Sequence, residues 1–234
     1  DGSTPLLMAT RKGLSNDAST SAKYWNEHKP TTKTDKEVTS YRSLIIAGNS
    51  PMGKKLAKEA NDGTLTWKDL NKAKWGLEST SSAAGYMYPS QWLTDNFKHS
   101  IRDLKNTVTM DSYDSAMAQL ASGQIDVMPE YADARLDEAT KWTTTFGAKG
   151  SIWDDTNVIG VTPAIANDGI MVSEKSKIMT PEFKKALSTA IKDMSKTAEG
   201  KKVIAIYSHD GYVDSTKADY KTAIKVANEM SKAN

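Results

Sequence analysis

Between Lys72 and Val161 the chain alternates short apolar runs with segments of helical spacing, and few folds accommodate that order. Ala73–Glu78 reads as strand and Ser82–Phe97 as helix; Thr107–Met110 is strand and Ser112–Ala121 helix, stopped at Ser122-Gly123. Ile125–Met128 is strand again, Glu130–Trp142 helix and Thr156–Val161 strand. Strands separated by helices of this length predict a parallel sheet covered on both faces, because parallel neighbours need a crossover. In such sheets a ligand crevice lies outside the carboxyl ends of the strands. Three separated stretches should therefore converge there: Ser79 to Ala83, Met110-Asp111-Ser112-Tyr113-Asp114, and Pro129 to Asp133.

The flanks are less regular. Pro5–Leu14 suits one strand, whereas Ser15 to Thr39 is polar and reads as a long connection with a helix around Ala22 to His28. Tyr41 to Gly48 is a strand rich in aliphatic and β-branched residues, closed by Gly48-Asn49-Ser50-Pro51. Lys54–Ala60 is a helix stopped at Asn61-Asp62-Gly63, and Thr66 caps a further turn. Beyond Val161, Ile170-Met171-Val172 is a strand. Thr180-Pro181-Glu182 starts a helix running through Met194, and Glu199–Tyr207 and Thr216–Met230 are helical.

Glu78-Ser79-Thr80-Ser81-Ser82-Ala83-Ala84-Gly85-Tyr86 carries the most chemistry. The first N–H groups of a helix lack intrahelical partners, and the macrodipole places about +0.5 charge there, so an oxyanion is favoured by bonds and field together. Four successive hydroxyls add donors without adding charge. Read locally, the same cluster is also an ordinary N-capping pattern.

Composition narrows the classes. The 31 basic and 29 acidic residues are interspersed and leave a net charge of +2, which gives no footprint for nucleic acid. Cysteine is absent, so disulfides, thiol catalysis and Cys-based zinc sites are excluded. His28, His99 and His209 have no spacing that builds a metal site, and no cofactor is expected. The sequence as given shows neither a membrane-length apolar run nor a signal peptide; an exported form would have had its leader removed.

With these residues placed, the chain resembles the substrate-binding proteins of phosphonate, phosphite and phosphate ABC transporters, which have the type II periplasmic-binding-protein fold. The likeness rests on Ser40 to Ile46 before Asp69-Leu70-Asn71-Lys72, on Ser81 to Pro89, on Asp114-Ser115-Ala116 ahead of Leu120 to Val127, and on Asn167-Asp168-Gly169-Ile170. Order and spacing agree from about Asp1 to Tyr212. The resemblance implies an α/β protein of two lobes with parallel-rich sheets flanked by helices. Residues 51–163 would form a complete second lobe, and 1–50 with 164–234 an incomplete first lobe with C-terminal helices. Family members begin with two strand–helix units that have no counterpart ahead of Pro5, so the cleft is expected to be half built.

Carried over by position, the oxyanion loop falls on Ser79, Thr80, Ser81, Ser82 and Ala83, and the family's helix-start His on Tyr113, which donates one hydrogen bond but carries no charge near neutrality. Its pair of amine-binding acids falls on Asp133 and Asp168, with Glu130 a neighbouring candidate. The implied activity is capture of a small phosphorus oxyanion by hinge closure and delivery to an ABC permease. The protein would be no enzyme and would bind no nucleic acid. It would work outside the cytoplasm, with a lipid anchor on the precursor as the resemblance allows. Two other classes share the architecture: an effector-binding domain of a transcriptional regulator, and an enzyme on the same fold.

Overall fold

The computed structural model describes residues 2–232; Asp1 and residues 233–234, assigned above to the first-lobe remnant, lie outside the described residues. The strands are β1 (Ser3–Leu14), β2 (Lys33–Val38), β3 (Ser40–Tyr41), β4 (Ser43–Ala47), β5 (Trp75–Leu77), β6 (Thr107–Thr109), β7 (Val127–Tyr131), β8 (Asn157–Val161), β9 (Ile165–Ala166), β10 (Gly169–Ser173) and β11 (Gly211–Asp214). The α-helices are α1 (Ala22–Glu27), α2 (Pro51–Asp62), α3 (Trp67–Leu70), α4 (Tyr88–Phe97), α5 (Tyr113–Ala121), α6 (Ala134–Thr144), α7 (Ile152–Asp155), α8 (Pro181–Lys196), α9 (Ala198–Ala205) and α10 (Lys221–Lys232). Contacts divide the chain into two units, one of residues up to Gly13, Lys33–Tyr41 and Ala166–Lys232, the other of Leu14–Thr32 and Arg42–Ile165.

The larger unit holds a five-stranded mixed sheet in the order β6-β5-β7-β4-β8. The β5–β6 and β5–β7 pairs are parallel, and β4 runs antiparallel to both β7 and β8. Strand β4, read from the sequence as part of the first lobe, is thus an inner strand of this sheet. All five of its residues are buried. On one face Leu44, Ile46, Met128 and Val158 pack with Met117 and Leu120 of α5, Trp142 of α6 and Trp25 of α1. On the other, Gly160 leaves room for the Trp92 indole of α4 against Ile45. Helix starts are capped as the hydroxyl positions predict: Ser50, Thr66 and Ser112 each accept a backbone N–H three residues on.

Glu130 and Tyr131, expected at a helix start, instead extend β7 to Tyr131. Pro129 explains how. Val127 N–H donates to Lys74 O beside β5, and Ala132 N–H donates to Arg42 O at the start of β4, so odd-numbered N–H groups of β7 face β5 and even-numbered ones face β4. A proline at 129 deletes a donor on the β5 side alone. The β4 ladder continues from Ala47↔Val127 to Ser43↔Tyr131, while pairing with β5 is confined to Trp75↔Val127. The two parallel strands therefore part at their carboxyl ends.

The smaller unit centres on β1, whose Leu7, Met8 and Ala9 are buried. It pairs antiparallel with β10 and with β11, and β2 also pairs with it. The parallel pairs β5–β6 and β5–β7 lie in the larger unit. Asp214 of β11 accepts hydrogen bonds from Ser188 Oγ (2.7 Å) and Lys192 Nζ (2.8 Å) of α8, and Thr180 caps that helix ahead of Pro181. Strand β2 lies within the stretch read as a connection. Its residues Lys33, Asp35, Lys36 and Glu37 are exposed, and an edge strand of that kind has no apolar alternation to betray it.

A methyl group at Gly160 would overlap the Trp92 indole and Ile45 Cδ1. Gly160→Ala should cost about 1–3 kcal/mol through overpacking, read as a lower denaturant midpoint at unchanged slope.

Candidate functional site

The serine-rich turn leaves β5 at Leu77 and enters a π-helical turn, Ala83–Met87, that runs directly into α4. Ser82 is its N-cap: Ser82 Oγ accepts Gly85 N–H at 3.0 Å, and Ser82 O accepts the N–H groups of both Tyr86 (3.1 Å) and Met87 (3.0 Å). Ser79 O accepts Ser82 N–H at 2.9 Å, and the Ser79 and Ser81 hydroxyls lie 3.2 Å apart. Ser79, Thr80 and Ser81 are exposed, and Ser82 and Ala83 are half-buried, so hydroxyls and helix-start N–H groups share one accessible turn.

Tyr113 opens α5 after β6 and reaches across to this turn, its phenol oxygen 3.3 Å from Ser82 Oγ. Its ring stands edge-on to Tyr131 at the end of β7, with centroids 5.5 Å apart. Two helix starts thus meet at the carboxyl ends of parallel strands, as the alternation predicts.

The two carried-over acids stand elsewhere. Asp133 caps α6 and is fully engaged: Arg135 Nε and Nη2 donate to its two oxygens at 2.9 and 2.8 Å, and Thr31 Oγ1 donates at 2.7 Å. Neither side chain of this ion pair reaches solvent, and the Arg135 guanidinium lies over the Trp153 ring at 4.9 Å. Asp168 belongs to the smaller unit, where Arg11 Nη2 donates to Oδ2 at 2.7 Å and His209 Nε2 lies 3.3 Å from the same oxygen. Its side chain is 68% exposed.

Glu130 and Glu78, unlike Asp133, have buried carboxyl oxygens without hydrogen-bond partners. Glu130 is 0% exposed, and neither of its carboxyl oxygens has a hydrogen-bond partner. Burial first, then the negative charges of Glu138, Glu78, Asp133 and Asp114, hold its pKa well above the carboxylate range. Glu78, the residue ahead of the serine turn, is also raised, by burial and then by Asp111, and its Oε1 is buried without a partner. Each stands three residues beyond the Trp75↔Val127 pair, on the opposite face of its strand, so the two carboxyl groups flank the parting between β5 and β7. Pro129, which turns Glu130 from a helix residue into a strand residue, is the sequence signal that could have found this pair. Among the described residues no group of three His, Asp or Glu side chains is arranged to hold a metal ion.

A family model for the periplasmic substrate-binding protein of phosphonate ABC transporters matches residues 5–220. The chain belongs to that family. Solved structures share its fold. One is the binding-protein component of a phosphonate ABC transporter from Pseudomonas aeruginosa, at TM-score 0.57 and 15% identity, matched over 98% of this chain and 63% of that one. A Prochlorococcus marinus protein, PhnD1, solved with methylphosphonate, gives TM-score 0.60 at 14% identity over 99% and 72% of the two chains. A Xanthomonas citri protein solved with ATP gives 0.65 at 14% identity over 98% and 71%. The chain thus spans less than two thirds of the Pseudomonas protein and about seven tenths of the other two. None of the curated proteins matches it. Among the described residues no helix is long and apolar enough to cross a membrane.

Glu130 generates a test of the site's electrostatics. Its folded-state value lies above the unfolded one, so the native state binds more protons. Its stabilising share is complete below the unfolded value of about 4.3 and is lost as pH rises toward and through the folded value. Glu130→Gln should therefore be more stable relative to the parent at about pH 8 than at about pH 4, measured by urea unfolding at both.

Proposed function

We propose that this chain captures a small phosphorus oxyanion, with phosphonate, phosphite and phosphate as the candidate ligands, outside the cytoplasm for delivery to an ABC permease. The observation that carries the reading is the 3.3 Å approach of Ser82 Oγ and Tyr113 Oη, which brings two helix starts to one strand edge. In this reading Ser79, Thr80, Ser81, Ser82 and Ala83 offer hydroxyl and backbone donors to the oxyanion, and Tyr113 adds a phenol. The methylphosphonate found in the Prochlorococcus protein supports the ligand class.

The acids divide by environment. Asp168, the second acid that the resemblance implies, is exposed in the smaller unit and paired there with Arg11. Asp133 serves instead as the buried counter-ion that fixes Arg135 and the start of α6.

Calorimetric titration with 2-aminoethylphosphonate, methylphosphonate, phosphite, phosphate and sulfate tests the reading. Selective binding to a phosphorus oxyanion is expected, weakened about 100-fold or more in Ser81→Ala/Ser82→Ala because each of two lost bonds to a charged group is worth about 1.5–3 kcal/mol. Failure to bind any of the five, or affinity unmoved by the double substitution, overturns it.

A further inference from the structure

The smaller unit has an open cavity of its own, of about 660 Å³, walled by β1, β2, α8, α9, β11 and the loop ahead of β11. That volume falls within the ~300–1,000 Å³ of small-molecule sites. Four ammonium groups line it: Lys12 on β1, Lys192 and Lys196 near the end of α8, and Lys201 on α9. Two carboxylates share the lining, Glu37 and Asp210, and the negative pole of α8 lies here too. Basic residues outnumber acidic ones over the smaller unit, and the reverse holds in the larger. The Lys201 ammonium has no hydrogen-bond or ion-pair partner among the described residues. Lys12 and Lys196 lie 3.8 Å and 3.2 Å from Asp35 and Asp193, but these are surface pairs, which hold their partners weakly and leave both lysines open to a phosphate. Lys192 is fixed more firmly, 2.8 Å from Asp214.

The acids narrow the ligand. Glu37 accepts Thr10 Oγ1, and Asp210 forms no side-chain hydrogen bond among the described residues. Two carboxylates repel a bare polyanion, yet they are acceptors for hydroxyl groups. Tyr212 adds an aromatic wall that His209 holds in place. The His209 side chain is 8% exposed, its Nδ1 lies 3.2 Å from Tyr212 Oη and its Nε2 3.3 Å from Asp168, and the His209 and Tyr212 rings stand edge-on at 5.7 Å. Ammonium groups for phosphates, carboxylates for hydroxyls and a ring beside them match a sugar phosphate better than a free anion.

We infer that this cavity is a second ligand site, which takes a sugar phosphate of two or more negative charges, a nucleoside diphosphate or a sugar bisphosphate. Lys12, Lys196 and Lys201 take phosphate oxygens, Asp210 and Glu37 accept sugar hydroxyls, and Tyr212 flanks the sugar or the base. The serine turn and Tyr113 contribute nothing to it, so the inference goes beyond the oxyanion reading and stands apart from it.

The test is calorimetric titration of the chain with adenosine diphosphate, fructose bisphosphate and tripolyphosphate at about 0.15 M salt, where loose surface attraction is screened. Saturable binding of at least one sugar phosphate is expected, about tenfold or more tighter than tripolyphosphate and unmoved by excess methylphosphonate. Lys201→Ala should weaken it about tenfold or more through loss of a charge-assisted bond. Asp210→Ala should weaken the sugar phosphate yet strengthen tripolyphosphate, a split that general surface charge does not produce. Ser81→Ala/Ser82→Ala should leave all three titrations unchanged. Tripolyphosphate bound as tightly as both sugar phosphates, no binding at this salt, indifference to Lys201→Ala and Asp210→Ala, or competition by methylphosphonate overturns the inference. The oxyanion reading stands or falls on its own titration.

Discussion

One missing hydrogen-bond donor shapes the functional end of the larger unit. A proline inside a central strand ordinarily removes a ladder bond and is confined to edges. Pro129 is tolerated because its vacant position faces β5 just where that partner is about to end at Leu77. On the other side the β4 ladder is unbroken, and it holds β7 in place through five residue pairs. The parallel neighbours are thereby released from each other without loosening the sheet. Into that edge come Glu78 and the serine turn from β5, the start of α5 from β6, and Glu130 from β7. The general rule that ligands sit where parallel strands end acquires a local cause here.

Burial acts oppositely on two acids only three residues apart. Asp133 and Arg135 are both withdrawn from water, and their shared hydrogen bonds offset the desolvation; removing either partner would strand a charge at a cost of about 3–5 kcal/mol. Glu130 has no such partner, so the proton itself supplies the neutralisation. The first arrangement is locked by its paired hydrogen bonds. The second is responsive, and it lies beside the turn where an anion is expected.

Much of this could be read in advance. The aliphatic run of β4, the hydroxyl caps at Thr66 and Thr180, and the strand–helix alternation rest on local rules that each residue obeys in its own neighbourhood. What escaped depends on partners distant in sequence or on strand parity. Asp133 and Arg135 are two apart, a spacing that does not place side chains together on a helix face. They meet because Asp133 sits at the N-cap with a non-helical backbone, and Thr31 completes the set from about a hundred positions away. Glu130 reads from the sequence as a helix residue and a neighbouring candidate for binding an amine. Only the continuation of β7 through Pro129 turns it inward. The polar edge strand β2 was hidden for the converse reason: exposed on most of its residues, it carries no hydrophobic period to read.

The same contrast bears on how a site can change while its fold does not. Solved relatives at 14–15% identity retain the architecture, since a sheet needs only apolar residues of suitable size facing its helices. The groups at the strand ends are free of that packing demand. Tyr113 stands where the resemblance implies a histidine, and it still reaches Ser82 from the first turn of α5, so position survives while charge is lost. A neutral phenol beside a neutral hydroxyl turn makes the charge state of Glu78 and Glu130 the largest variable left at that edge.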